Sequence, residues 1–415
     1  MPVRAGIAWL SSSSAEIARA RAVLRALKPA GVLDELGFLV LFSAFADRFY
    51  PATNTVMTRA RYLVFVPAIY RYIEESRKAA GKDADRVARD LQFKLSEALL
   101  KNETSAIGRD KGRDIVRPPS NIYWNALADL GIANQRISEA SYQERLSDDS
   151  VGQRVLRDDD NAAHPEDSDS IWDPSFRLSH VMPGGVFPSS TSFLLWKSEA
   201  TQLKKRYENL RPDGRHSMMT HLMRLGERHG HESLEAVVQI WDAPDIPIEL
   251  AGLVEHARRL SLFARGVTLQ YHHMLIEKRQ VADPGASGAF REWFQFARND
   301  LRTWNLEEFF SLIRAWGAER RPLRDREFLQ EWTERLGAVG SANAALQDPK
   351  SRAIVARRES DTHPGAQRLR VKHHLQSWIV PRRYKDDDYY QLTYRHDVGR
   401  RFAKDIIEGL RRGAS

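Results

Sequence analysis

Between Ile248 and Arg279 the sequence reads IELAGLVEHARRLSLFARGVTLQYHHMLIEKR, with apolar residues at helical spacing and no proline. This pattern predicts one long helix. The same periodicity, rich in Leu, Arg, Phe and Trp, recurs at Glu199–Leu210, Ser217–His229, Leu234–Trp241, Ala286–Leu301, Leu306–Ala318 and Asp325–Leu336. Alternation of Val, Ile and Thr between turn residues, which is typical of strands, is nearly absent. The sequence therefore predicts a mainly α protein.

The N-terminal part predicts one short strand followed by helices. Ile7–Leu10 is a short apolar run that we interpret as a strand, and the Ser13-x-x-Glu16 spacing is that of a capping box for a helix over Ala15–Leu27. Further helices are predicted at Leu36–Phe49, at Met57–Ile73 with Asn54 or Thr55 as its cap, at Arg86–Leu100, and from a Ser120 cap to Gly131. The predicted fold class is mainly α, a multi-helical body with a short N-terminal strand and an irregular acidic and Pro/Gly-rich middle segment.

Composition excludes several classes of protein. The chain has 415 residues, of which 42% are hydrophobic, so it can bury a sizeable core and is neither disordered nor fibrous. It has no cysteine, which excludes disulfides, thiol catalysis and thiolate metal sites and is compatible with a reducing cytosol. The longest apolar stretches, Leu36–Ala46 and Tyr62–Tyr70, fall short of the ~20 residues that cross a bilayer. Because Met1–Leu10 also lacks the features of a secretion signal, we expect a soluble, cytoplasmic protein.

The net charge of +8 is concentrated near the C-terminus. Residues 350–415 contain 16 Lys and Arg against 8 Asp and Glu, which leaves 47 against 47 in residues 1–349. Residues 139–173, by contrast, carry 11 acids and 3 arginines, and we interpret this stretch as a solvated linker because few apolar residues accompany the charge. An alternative is that its acids imitate a phosphate backbone and shield the basic end. The acids concerned are Asp158, Asp159, Asp160, Glu166, Asp167 and Asp169.

These changes of composition divide the chain into four segments. We predict an N-terminal helical domain over residues 1–138, an acidic and Pro/Gly-rich linker over 139–190 and a second helical domain over 191–349. The fourth segment, residues 350–415, is a basic C-terminal region that ends in an amphipathic helix over Asp397–Arg412.

The basic C-terminal region is the first candidate for binding nucleic acid. Cations that can hold phosphates alternate here with aromatic rings that can stack on bases. The cations are Arg368, Arg370, Lys372, Arg382, Arg383 and Lys385, and the aromatic residues are Trp378, Tyr384, Tyr389 and Tyr390. The C-terminal helix adds Arg400, Lys404 and Arg411 on its polar side, where the alternative is an ordinary solvated helix surface.

Two further groups of cations are candidate anion-binding residues. The first group comprises Arg109, Lys111, Arg113 and Arg117. It occupies a loop between two predicted helices, which is the order of a helix-turn-helix, although the second helix offers few side chains for base edges. In the second group, Arg59 and Arg61 lie in the first turns of a predicted helix, where the helix dipole disfavours cations. Their expected partner is therefore a bound anion such as a phosphate, or a carboxylate in a buried salt bridge.

Patterns that would indicate catalysis are weak. Neither a P-loop nor a G-x-G-x-x-G pattern occurs, so we do not expect an ATPase. Asp242, Asp245 and Glu249 approximate the carboxylate cluster of a metal-dependent nuclease, but no lysine follows at short range. Four histidines lie close together in sequence without a recognised metal-ligand spacing: His216, His221, His229 and His231. We therefore assign no catalytic residue, metal site or cofactor.

One block of sequence is distinctive, Thr58-Arg-Ala-Arg-Tyr-Leu-Val-Phe-Val-Pro-Ala-Ile-Tyr70. Further blocks in the same order are Ile7–Leu10, Pro119–Trp124, Phe193–Ala200, Gly266–Leu275, Leu392–Arg395 and Arg401–Leu410. In these blocks the chain resembles an uncharacterised bacterial family of similar length, whose members begin with an IAWL-like tetrapeptide and carry a RARYFLFVPWIY-like helix. The resemblance implies genomic company with helicase-like and phospholipase-D-like nuclease genes in phage-defence clusters, and hence a link to DNA. It implies no catalytic residue.

We therefore expect a non-enzymatic DNA-binding or scaffolding subunit of a bacterial antiviral defence system. It would bind DNA without sequence specificity and act with a helicase-like or phospholipase-D-like nuclease subunit. Two alternatives stay open: a metal-dependent nuclease with an unrecognised carboxylate site, and a pure protein-interaction scaffold whose arginines meet an acidic partner.

Overall fold

The described part of the chain is mainly helical. The structure is a computed structural model, and it describes residues 34–76, 79, 82–104, 106–108, 117–148, 170–178, 180–318, 322–381, 384 and 392–412. The α-helices are α1 (Leu39–Phe49), α2 (Tyr62–Glu75), α3 (Ala84–Leu99), α4 (Pro119–Asp129), α5 (Glu139–Ser147), α6 (Lys197–Asn209), α7 (Met218–His229), α8 (Ile248–Arg279), α9 (Ala286–Arg302), α10 (Leu306–Ala315), α11 (Pro322–Ala338), α12 (Ala342–Gln347), α13 (Pro349–Thr362), α14 (Lys372–Ser377) and α15 (His396–Arg411). Short 3₁₀ turns lie at Pro183–Gly185, Pro212–Gly214, His231–Ala236 and Ile240–Asp242.

The predicted fold class is corrected by the absence of a sheet. The described part of the chain contains helices, turns and one isolated antiparallel bridge between Ala133 and Trp172, but no sheet, so including a strand in the fold class was wrong. A single strand cannot pair its own backbone groups, and the described residues supply no second strand to do so. Ile7–Leu10 and the helix predicted over Ala15–Leu27 lie outside the described residues.

Several helix boundaries also differ from the predicted ones. Asn54 does not cap a helix, because its side-chain oxygen accepts a hydrogen bond from Val56 N within a turn and α2 begins only at Tyr62. Ser120 lies inside α4, whose first residue is Pro119, and proline at a helix start is already fixed near the helical φ. The segment Leu234–Trp241 forms parts of two 3₁₀ turns instead of an α-helix.

The described residues group into two compact units. One comprises the described residues of Met1–Phe42 and Arg259–Leu392, and we call it the C-terminal unit because most of its helices are α9 to α14. The other comprises the described residues of Ser43–Arg258 and Thr393–Ser415, and we call it the N-terminal unit. The four segments inferred from composition stay a prediction. Within the predicted linker, residues 139–147 form α5, and residues 149–169 lie outside the described part.

The core of the C-terminal unit is built on aromatic side chains. In this unit α9 packs on α11 and α12, and α11 packs on α13. The Trp293 ring sits against the glycine at position 266, where a Cβ atom would lie 2.1 Å from it. The Trp332 indole donates a hydrogen bond to Oε1 of Gln270 (2.7 Å) and stacks edge-on against Phe263. Buried rings whose polar atoms are satisfied thus hold these helices in one arrangement.

The core of the N-terminal unit surrounds α15, which packs on α6 and α7. The apolar side of α15, including Phe402 and Ile406, is fully buried, as its amphipathic pattern requires. Close approach of α15 to α6 depends on Gly409, where a Cβ would lie 2.8 Å from Leu195 Cβ and 2.9 Å from Ala200 Cβ. In the same unit α2 packs on α3 and α4.

None of the helices in the described ranges combines the length and apolar character that a membrane span needs.

Candidate polyanion-binding surface

In the C-terminal unit, the start of the segment 369–381 is fixed by a buried carboxylate on α13. Both oxygens of Glu359 are used: Oε1 accepts hydrogen bonds from Arg368 N (2.6 Å) and from the Tyr271 hydroxyl (2.6 Å), and Oε2 accepts one from Leu369 N (3.1 Å). Glu359 is only 2% exposed, so these bonds compensate for its loss of hydration. The backbone at residues 368 and 369 therefore has a defined place beside α8 and α13.

A second buried carboxylate, Glu35, contacts Arg368, which directly precedes this segment, and His272 of α8. Its Oε2 lies 2.6 Å from His272 Nε2, and its Oε1 accepts a hydrogen bond from Arg368. The other imidazole nitrogen of His272 lies 3.2 Å from the Tyr384 hydroxyl. Burial alone would raise the pKa of Glu35, but His272 and Arg368 together outweigh burial and hold that pKa below its usual range. Glu35 is therefore a buried, charged partner of Arg368.

Two cations at the end of α8 bind the backbone of the same segment. The ammonium group of Lys278 donates to the carbonyl oxygen of Leu369, and Arg279 Nη1 donates to the carbonyl oxygen of Trp378 (2.7 Å). Each bond joins α8 to one end of the segment that contains α14. Because the acceptors are neutral carbonyls, neither bond compensates the positive charge of its donor.

These contacts assemble one group of basic side chains, which we call the cationic surface. It consists of Lys278, Arg279, Arg370, Lys372, His373 and His374. Arg370, Lys372 and His373 are exposed, and the two neighbouring imidazoles lie with ring centroids 3.8 Å apart. Within the described ranges, no carboxylate forms an ion pair with any of the six, and residues 369–381 contain no acid.

The structure separates the residues that the sequence grouped in the C-terminal region. Arg370 and Lys372 belong to the cationic surface, whereas Arg368 is bound to Glu35. Trp378 and Tyr384 are 6% and 1% exposed, and both pack on the His272 ring, so neither ring presents a face to solvent. The other members of the predicted group lie outside the described residues: Arg382, Arg383, Lys385, Tyr389 and Tyr390.

In the N-terminal unit, the three predicted cations of α15 have partners. Lys404 and Arg400 both bind Glu235, the first through an ion pair to Oε1 and the second at 3.5 Å from Oε2. Arg411 donates a hydrogen bond to the Gly226 carbonyl oxygen at 3.4 Å. Arg400 and Lys404 therefore share the carboxylate of Glu235, and Arg400 also lies 3.6 Å from Asp397 Oδ1.

Arg59 and Arg61, the predicted anion-binding pair, precede α2 and lie in ion pairs. Arg59 donates to both oxygens of Asp405 on α15, at 2.8 to 3.1 Å, and Ala60 N donates to the same carboxylate. Arg61 donates to Oε2 and Oε1 of Glu199, at 3.0 Å each. Both carboxylates are buried, so each arginine already has an anionic partner supplied by the chain.

The remaining predicted groups are not gathered into sites. In the loop before α4, Arg117 is half-buried, while the other three basic residues, Arg109, Lys111 and Arg113, lie outside the described part. Asp242 accepts a hydrogen bond from Gln239 N (2.8 Å) within a 3₁₀ turn, and Asp245 lies 3.8 Å from Arg228. Over the ranges that the structure describes, no three His, Asp or Glu residues are placed to hold a metal ion.

Lys278 and Arg279 were missed by the sequence reasoning. They end a long helix, where cations are expected because they interact favourably with the helix dipole. The usual preference for cations at the end of a helix therefore accounted for both residues without a bound anion. Beyond this position at the end of α8, the sequence gives no signal that either side chain contacts another segment.

Comparison with known proteins gives a family but no function. No curated protein and no solved structure matches the chain. The model of a family of unknown function, DUF6361, matches residues 4–379, which is most of the sequence. This match confirms the resemblance to an uncharacterised family. The chain therefore belongs to DUF6361, a family of unknown function.

Proposed function

We propose that the protein is a non-enzymatic DNA-binding subunit that holds the phosphate backbone on its cationic surface. The observation that supports this function is the group of six basic side chains, from α8 and the segment 369–381, without a carboxylate partner among the described residues. Backbone contacts of this kind bind DNA without reading its sequence.

The cationic surface differs from other cations of the same unit that are paired with carboxylates. Arg352 pairs with Glu277 and Arg357 with Glu331 in the same unit, and their charges are compensated locally. Uncompensated cations held close together repel one another, and this cost is recovered when a polyanion binds and releases its counterions. Rigid attachment of the segment also lowers the conformational entropy lost on binding.

Partners enter this proposal through the family resemblance. We propose that the subunit acts in the bacterial cytoplasm within an antiviral defence system, beside a helicase-like or phospholipase-D-like nuclease subunit. The helical bodies would supply the protein-binding surface, while the cationic surface holds DNA. A pure scaffold that meets an acidic protein is the competing function, and the experiment below separates the two.

The test is DNA binding by fluorescence anisotropy with a labelled duplex at several salt concentrations. We expect affinity at low salt that falls as salt rises, and a triple variant, Lys278→Glu, Arg370→Glu and Lys372→Glu, that loses about 100-fold in affinity, because each reversal turns an attraction to phosphate into a repulsion. The matched control reverses three exposed cations of the N-terminal unit, Arg177→Glu, Lys197→Glu and Lys205→Glu.

The two triple variants carry the same change in net charge. Equal losses of affinity would show a general electrostatic effect and contradict a dedicated surface. Absence of DNA binding by the wild-type protein at low salt would refute the proposed function. If the same wild-type protein co-purified with an acidic protein, the competing function as a protein-interaction scaffold would be favoured.

A further inference from the structure

The segment 369–381, which carries four residues of the cationic surface, also has one fully projecting apolar side chain. Ile379 is 87% exposed, whereas Trp378 directly before it is buried, Val380 directly after it is half-buried and Pro381 is buried. A single exposed apolar residue is common on protein surfaces. Its position here is notable, because it lies two residues after the end of α14 and because Arg279, a cation of the surface, donates a hydrogen bond to the carbonyl oxygen of the residue before it.

The backbone that carries Ile379 is fixed on its N-terminal side. Arg279 Nη1 donates to the carbonyl oxygen of Trp378, the same peptide group that leads into Ile379. The Trp378 ring packs edge-on against His272 with ring centroids 5.1 Å apart. The isoleucine side chain is therefore held out by buried neighbours, and its burial would require these contacts to break.

A projecting isoleucine and several basic side chains in one segment are a combination that suits duplex DNA. A phosphate backbone bound by Arg279, Arg370 and Lys372 would bring stacked bases close to the isoleucine. Aliphatic side chains such as isoleucine enter between base pairs in proteins that unstack and kink DNA. An aliphatic side chain that projects from a fixed backbone, in a segment whose basic side chains are proposed to bind phosphate, has the shape and the chemistry of such a wedge.

We propose that Ile379 is a wedge that enters between adjacent base pairs of the DNA held by the cationic surface, an inference that rests on the proposed function. The preferred ligand is then duplex DNA whose stacking opens easily, such as a mismatched site or a flexible pyrimidine–purine step. The protein would still read no base edge.

An anionic membrane also attracts cations with an adjacent apolar residue, but Ile379 fits it less well. Stable attachment of a protein to a bilayer needs a larger apolar area or a second anchor. The described segment 369–381 offers one fully projecting apolar side chain, while Val371 and Val380 are half-buried and Leu369, Leu375 and Trp378 are buried.

The experiment compares Ile379→Ser with Ile248→Ser, which removes an isoleucine that is 90% exposed at the start of α8. The probe is a duplex carrying 2-aminopurine, whose fluorescence rises when its base is unstacked, with a matched and a mismatched version. We expect wild-type protein to raise the fluorescence and to bind the mismatched duplex about tenfold more tightly, because the mismatch removes much of the unstacking cost.

Ile379→Ser should lose both effects while keeping the salt dependence of binding to the matched duplex, and Ile248→Ser should behave as the wild type. Binding by the wild type without a rise in fluorescence, or an Ile379→Ser variant that keeps the rise, would overturn the wedge and leave the proposed function standing. Loss of all DNA binding by the wild type would instead refute the proposed function. Ile379-dependent binding to anionic phospholipid vesicles, with unchanged 2-aminopurine fluorescence, would assign the side chain to a membrane.

Discussion

Arg279 Nη1 lies 2.7 Å from the carbonyl oxygen of Trp378, so a guanidinium at the end of a long helix holds the backbone of a residue almost a hundred positions later. This one bond has two consequences. It places a cation next to the backbone of the exposed isoleucine at position 379, and it fixes the peptide group that joins Trp378 to this isoleucine. The relationship connects the charge of the proposed surface with its rigidity.

Replacing Arg279 by alanine should therefore weaken DNA binding more than replacing Lys372, a cation whose side chain forms no such bond with any residue that the structure describes. We expect Lys372→Ala to lower the slope of log affinity against log salt by about 0.9, the value for one phosphate contact. Arg279→Ala should lose about tenfold more in affinity, because a hydrogen bond from a charged donor is lost along with the charge. Anisotropy titrations at several salt concentrations measure both quantities, and equal losses in the two variants would contradict the role of the bond.

The buried Glu35 should make the stability of the C-terminal unit depend on acidic pH. Because His272 and Arg368 lower the pKa of Glu35 in the folded chain, this group stabilises the fold above its unfolded pKa of about 4.3. That contribution disappears as the pH falls through the lower, folded pKa. Urea unfolding at a series of pH values should show that Glu35→Gln is less stable than the wild type near neutral pH and that the two converge in acid. If the free energies of unfolding of the two proteins differed by the same amount at every pH, this role of Glu35 would be contradicted.

The ion pair between Arg59 and Asp405 should be important to the N-terminal unit. Asp405 is 4% exposed, and removing it leaves a largely buried guanidinium without a partner, so we expect Asp405→Ala to reduce the free energy of unfolding by about 3–5 kcal/mol. The control is Arg89→Ala, which breaks an exposed pair with Asp85 and should change stability by less than about 1 kcal/mol. The double change Arg59→Met with Asp405→Leu should recover part of the loss. Urea denaturation gives all three values, and equal effects of the two single changes would be inconsistent with burial as the cause.

Gly409 and Gly252 should respond in opposite directions to replacement by alanine. At Gly409 the new methyl group would lie within 2.9 Å of two Cβ atoms, so overpacking should destabilise the protein by about 1–3 kcal/mol. At Gly252, inside α8, a Cβ atom would meet nothing within 4 Å apart from the backbone of its own helix, so alanine should stabilise the helix by about 0.5–1 kcal/mol. Thermal unfolding of the two variants tests the pair, and a stabilising Gly409→Ala would show that α15 and α6 can move apart.

The helical segments of the chain could be predicted because their signal is local. The periodicity of residues 248–279 predicts α8 with the bounds that the structure shows, and Ser217 caps α7 through a hydrogen bond from Thr220 N. The fold class was wrong to include a strand, because the described residues contain no sheet and a short apolar run carries no information about whether a pairing strand exists. Ile7–Leu10 itself lies outside the described residues.

The candidate surface was only partly predictable. Arg368 and Arg370 are two positions apart and look equivalent in sequence, yet Glu35, more than three hundred residues away, pairs with the first and not with the second. Lys278 and Arg279 carry no sequence signal beyond an ordinary helix end. Trp378 and Ile379 are adjacent apolar residues, and only the packing of Trp378 on His272 leaves the isoleucine outside.

The amino-acid sequence alone determined the helical character, the absence of thiol chemistry, the family resemblance and the excess of positive charge at the C-terminal end, because each follows from composition or from short-range periodicity. Tertiary structure decided which cations are neutralised and which stay uncompensated. The reason is that the strength of an ion pair depends on distance and burial, and the carboxylates that neutralise these arginines come from helices and loops far away in the chain.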